Sequence, residues 1–243
     1  MMKKVIVILI AAFACLSLQA TDRDSLRVFK TFPFMDKGAI QAGASFTHSS
    51  LSSTNAELLL LLNGLDMSGH LTRLNPFVSY SYSKDRAIGL SIKYLSADLS
   101  GQSAVVDLLN EGLQVKFDNV RASYTSSGFE FFHRWFTGLD RLGRFGLYYD
   151  TALGYSENRL DFYPDKPSDS YMEGYKLSFD FTPGFMMYVL DNVAVHVGLN
   201  IATLSYSNMS LIDKGEQIGG RTRFQTMLKG NPLGLVYGIS IQL

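Results

Sequence analysis

The chain has 243 residues, 47% hydrophobic, 13% aromatic and only 18% charged, and its 22 basic and 22 acidic side chains cancel. That balance excludes a disordered chain, which needs low hydrophobicity and high net charge. It also argues against a nucleic-acid binder, which carries a basic balance or patch.

Residues 1–20 read as a secretory signal peptide. Lys3 and Lys4 form a positive start, and Val5 to Leu16 is apolar. That stretch is too short for a spanning helix, which needs about 20 residues. Ala20 is the small residue at the cleavage position. Cys15 is the chain's one cysteine. A lipoprotein would acylate it, but Ala12-Phe13-Ala14 is a poor lipobox. The mature chain then has no thiol for disulfides or metal sites. Residues 21–36 are expected as a periplasmic lead-in, and 37–243 as the folded domain.

Beyond the signal no apolar run reaches 18 residues, and the hydrophobic period is two, which means strands. Ile40, Ala42, Ala44 and Phe46 alternate with Gln41, Gly43, Ser45 and Thr47. Val78, Tyr80 and Tyr82 alternate with Phe77, Ser79 and Ser81, and Ile88, Leu90, Ile92 and Tyr94 with Gly89, Ser91 and Lys93. Phe129, Phe131, His133 and Trp135 alternate with Glu130, Phe132, Arg134 and Phe136. Ser123, Thr125 and Ser127 share the parity of Phe129, so either a bulge lies near Gly128 or the strand leaves the bilayer there. Phe145, Leu147, Tyr149, Leu153 and Tyr155 oppose Gly146, Tyr148, Asp150, Ala152 and Gly154. Tyr175, Leu177, Phe179, Phe181, Phe185 and Met187 oppose Lys176, Ser178, Asp180, Thr182 and Gly184. Val193 through Ile201 and Leu235 through Leu243 complete eight strands.

Short connections at Ser83–Arg86, Gly138–Gly143 and Val189–Asn192 alternate with long ones near 49–72, 98–120, 157–171 and 206–230. An even strand count with alternating connections is the signature of an outer-membrane barrel. The expected fold is all-β: a transmembrane antiparallel up-and-down β-barrel of eight strands, with short periplasmic turns and long extracellular loops.

The apolar faces would meet lipid, with Tyr80, Tyr82, Trp135 and Tyr188 as an aromatic girdle beside the short turns. The polar faces would form a lumen network of Lys93, Glu130, Arg134, Asp150, Lys176, Asp180, His196 and Asn200, with Gln41 and Gln242. Three cations balance three carboxylates. An eight-stranded barrel is just wide enough for its side chains, so this set is expected as an internal plug, with a narrow polar channel as the alternative. The end of the chain, Leu235, Tyr237, Ile239, Ile241 and Leu243, resembles the terminal signal that the barrel assembly machinery recognises, with Leu243 in place of the usual final aromatic.

Two outer loops are apolar: Leu58, Leu59, Leu60, Leu61 and Leu62, then Val105, Val106, Leu108, Leu109 and Leu113. In the second, Ser103 precedes apolar positions at helical spacing. These segments are expected as short helices or packed turns that form a lid, dip into the outer leaflet or dock a partner. His48 beside Ser49 and Ser50 is a candidate for hydrolytic chemistry, and His70 is placed in a loop. No cofactor or metal spacing is present.

Asn75-Pro76-Phe77-Val78-Ser79-Tyr80 with Lys84-Asp85-Arg86-Ala87-Ile88-Gly89-Leu90 resembles the hairpin motif of Bacteroidota outer membrane β-barrel proteins, small eight-stranded barrels of the OmpA/OmpX kind. Pro183-Gly184-Phe185 through Asp191-Asn192-Val193-Ala194-Val195 is a second copy, and Phe131 to Phe136 with Arg144 to Tyr148 resembles the middle hairpin. Arg134-Trp135 departs from the family's usual Arg-Tyr. The resemblance covers about residues 37–243 and implies a barrel without a defined chemistry. The expected function is that of a structural or interaction protein acting through its outer loops. Its partners would be outer-membrane lipid, lipopolysaccharide and an extracellular or lipid-like ligand, with no nucleic acid. The alternatives are a transporter or binder of an apolar ligand beneath the apolar loops, and a lipid A-modifying enzyme.

Overall fold

The computed structural model describes residues 32–51, 67–107, 114–163, 170–228 and 235–243. Ten strand segments fill them: β1 (Ile40–Leu51), β2 (Met67–Ser83), β3 (Arg86–Asp107), β4 (Gln114–Gly138), β5 (Phe145–Tyr163), β6 (Tyr171–Tyr188), β7 (Val193–Leu199), β8 (Ala202–Asp213), β9 (Glu216–Leu228) and β10 (Leu235–Gln242). All neighbours are antiparallel. β7 and β8 both pair with β6, so they are one broken strand; β9 pairs with β8 and β10 with β7, so they make another. β10 pairs with β1, which closes an eight-stranded barrel. Among the described residues there is no helix.

Parity decides which side chains point in. Leu74, Val78, Ile88, Leu90, Ile92, Phe129, Phe131, Leu153, Leu177, Tyr237, Ile239 and Ile241 are all exposed on the outer face. A soluble protein buries such residues; a barrel in lipid displays them. Aromatic rings bound the belt. On the short-turn side Trp135 stacks on Tyr149 at 5.1 Å, and on the other side Tyr155 neighbours both Phe129 and Tyr175. Tyr188 is not part of the girdle. It shares the even parity of Asp180 and Met186, lies 5.4 Å from the Phe34 ring, and its hydroxyl donates to Gln242 inside the barrel.

Three other expectations are corrected, and the choice left open at Gly128 is decided. β4 runs through Gly128 with unbroken register on both sides, so there is no bulge. Its serines keep the outward parity where the strand continues beyond the apolar belt. Ser103 to Asp107 are extended, paired with Gln114 to Asp118, because the β3–β4 ladder continues above the belt. The segment 206–230 is mostly a hairpin: β8 and β9 meet at Lys214-Gly215, both at positive φ, a two-residue turn. Finally, the alternation does not run unbroken through Ile201. Gly184 faces Gly198 while Phe181 faces Ala202, so β7–β8 gains one residue at a bulge and its inward parity switches from even to odd. Residues 1–31, Leu58–Leu62, Leu108, Leu109 and Leu113 lie outside the described residues.

The short-turn end is stoppered by the segment preceding β1. Phe34 and Met35 are buried with Ala87, Phe136, Tyr148, Met186 and Ala194. The Asp85 carboxylate accepts from the backbone N–H groups of Phe34 (2.7 Å) and Met35 (2.9 Å), and Phe32 bridges Gly138. Asp85 occupies its turn at φ 58, a conformation that aspartate tolerates better than most residues.

Candidate functional site

The lumen is layered above that stopper. Gly184 and Gly198 face one another across β6 and β7. A Cβ on either would lie within 2.3 and 2.5 Å of Tyr148, so the missing side chains make the slot for that ring. Arg134 forms the next layer. Its guanidinium makes a two-pronged ion pair with Asp150, both contacts 2.7 Å, and reaches Gln41 at 3.4 Å. Its carbon lies 4.6 Å from the Tyr148 ring centre and 5.1 Å from those of Phe77 and Phe132. A planar cation can stack and pair at once, which suits arginine and not lysine. His196 fills the remaining side, edge-on to Phe77 and Tyr148.

The third layer is centred on Asp180. It accepts from Thr203 (2.6 Å), Ser178 (2.9 Å), Asn200 (3.0 Å) and Lys93 (3.3 Å). Lys93 also pairs with Glu130. The bulge is what lets Asn200 and Thr203, three apart on one strand, both point at this carboxylate.

Above Arg134 the lumen opens into a cavity of ≈ 420 Å³. Its lining includes Lys93, Glu130, Asp180, Lys176 and Asn200, with Arg73 added. The expected lumen residues thus fall into two pairings plus His196, while Lys176 lies in the cavity without joining either. Arg73 escaped notice because it borders a presumed loop; the parity of Phe77 and Asn75 already pointed it inward.

The histidines are dispersed. His48 contacts Thr72 at 3.1 Å, and His133 contacts the Tyr82 hydroxyl at 2.7 Å on the outer face. His70 is in β2, not in a loop, since the ladder extends past the apolar belt. There it faces Ser50 on one side and Asp98 on the other. No group of three metal-ligating side chains occurs among the described residues.

No known protein family matches the chain, and no curated protein matches it. Among solved structures the chain is similar to the outer membrane protein OprG from Pseudomonas aeruginosa, at 12% identity and a TM-score of 0.37 over 86% of this chain and 97% of that one. It is also similar to the outer membrane protease OmpT from Escherichia coli, at 10% identity and a TM-score of 0.33 over 90% and 97%.

Proposed function

We propose that the protein is an integral outer-membrane barrel with its short turns in the periplasm, acting as a structural or interaction protein through its extracellular end. The filled base supports this reading most directly: Phe34, Met35 and the Arg134 layer occupy the lumen where a channel would need water. The β8–β9 hairpin adds a second support. Among the described residues β9 has no strand partner on its other edge, and such an edge offers main-chain groups to a partner. The cavity wall mixes charged side chains with Leu71, Leu95, Tyr148 and Val236, so an apolar ligand there would have to desolvate Arg73, Lys93, Lys176, Glu130 and Asp180. Reconstituted in planar bilayers, the protein should pass no stable ionic current. A steady, well-resolved conductance would overturn the closed-lumen reading.

One observation favours a second reading, ester hydrolysis on the outer face. Ser50, His70 and Asp98 are opposite one another on three adjacent strands, all exposed. Directly opposed residues have Cβ atoms about 4.5–5.5 Å apart. Histidine is in the middle, between a hydroxyl and a carboxylate, as base-assisted nucleophilic attack requires. The row lies four residues beyond Phe46, Leu74 and Tyr94, just above the apolar belt. No hydrogen bond joins the three, and substrate-free sites are often this loose. Refolded protein should then cleave p-nitrophenyl acetate, and Ser50→Ala should reduce the rate at least about a hundredfold. Equal rates for the two proteins would remove this reading.

A further inference from the structure

We propose that the cavity above Arg134 binds a small anionic solute, bearing a carboxylate or phosphate group, through Arg73 and Lys176. This goes beyond the interaction role and does not depend on it.

Asp180 accepts from four side chains, and Glu130 pairs with Lys93. Asp150 is engaged in both prongs by Arg134. The three inward carboxylates are therefore taken. Arg73 and Lys176 line the same cavity, and among the described residues neither makes an ion pair. Lys93 is a third cation in that wall, and with Arg134 and Asp150 at the floor the cavity carries four positive groups against three carboxylates.

A cation held in a narrow barrel without a partner in contact is costly, and the cost falls when an anion arrives. Arginine presents a planar fork that matches carboxylate and phosphate oxygens, while lysine adds a point charge. Asn75 gives an independent sign. Its Oδ1 is buried, has no hydrogen-bond partner and belongs to the same lining. A bound solute with an O–H or N–H beside its anionic group would satisfy it. The cavity volume suits a small metabolite-sized molecule and excludes a lipid acyl chain plus headgroup. Because Arg134 and its aromatic neighbours close the floor, the site is a dead end entered from the hairpin side.

The test is a titration of ¹⁵N-labelled full-length protein, refolded in detergent micelles, with inorganic phosphate and separately with succinate. The arginine Nε–Hε signals are followed. The Arg73 signal should move and saturate with at least one of the two anions. Saturation by phosphate alone identifies a phosphoryl site, and saturation by succinate alone a carboxylate site. Arg73→Gln and Lys176→Gln should each weaken binding about tenfold, the loss of one charge-assisted hydrogen bond. Lys176→Arg should retain most of it, and Lys214→Gln, at the exposed turn, should change nothing. Each variant is first checked for its folded band on an unheated gel. Folded Arg73→Gln and Lys176→Gln proteins that bind with unchanged affinity would overturn the proposal. So would shifts that stay linear and never saturate, as for weak surface association.

Discussion

Arg134→Ala should destabilise the folded barrel by about 3–5 kcal/mol, because it leaves a buried carboxylate without its partner. Asp150 loses both prongs of its ion pair at once, and Gln41 loses a donor. The rings of Phe77, Phe132 and Tyr148 lose the cation that they surround, leaving a cavity in the middle of the lumen. Equilibrium unfolding in urea, followed by the fluorescence of the single tryptophan, Trp135, measures the loss. The double variant Arg134→Met with Asp150→Leu should recover most of the stability, since no charge is then stranded. Arg134→Lys should fall between, keeping the charge and losing the fork. A single Arg134→Ala variant as stable as the parent would show that the pair is hydrated and that the floor of the cavity is not closed.

The second large effect is expected on the opposite face. Phe179 is on β6 directly across from Leu153, between the aromatic rows of Tyr149 and Tyr155. Placing lysine there puts a charge near the bilayer midplane, which costs roughly 2–4 kcal/mol in barrels of this kind. Phe179→Lys should therefore fail to give the compact band on unheated gels after refolding into lipid vesicles. Its sequence neighbour Ser178 points inward as one of four donors to Asp180, so Ser178→Ala should keep the band. If Phe179→Lys kept the band, the assigned register of β6 would be wrong, because a slip of one residue exchanges the two faces.

The barrel was legible from the sequence because each strand has one lipid face and one lumen face, and period two is the direct imprint of that arrangement. Lys93, Glu130 and Asp180 could be placed inside by parity alone. Parity does not say which inward residues share a height. That depends on register between strands far apart in sequence, such as Lys93 on β3 and Asp180 on β6. The segment Phe34-Met35 could not be placed, because a stopper threads into the base without any period of its own. Tyr188 was misjudged for a related reason: near a turn an aromatic suits either a girdle or a plug, and only the count from Asp180 decides. The outer ends of the strands read as loops because polar residues on both faces erase the alternation once the chain leaves lipid. The row of Ser50, His70 and Asp98 was hidden there, since it exists only through pairing of three separated segments.

The stopper has a mechanical consequence. The barrel wall is a closed ring of ladders, and β1 alone is zipped to β2 along its whole length and to β10 along half of it. Phe34 and Met35 are held by fewer hydrogen bonds: the Asp85 carboxylate, one backbone bond from Asp85 to Met35, and the bridge between Phe32 and Gly138, beside their apolar packing on Phe136, Tyr148 and Met186. Under tension applied at Phe32 from the short-turn side, these few bonds form a weak link in series with a strong one. The base would uncork at a force that leaves every stave in place. A tug on this tether is thus a way to bare the underside of the Arg134 layer without unfolding the barrel, which that layer keeps closed.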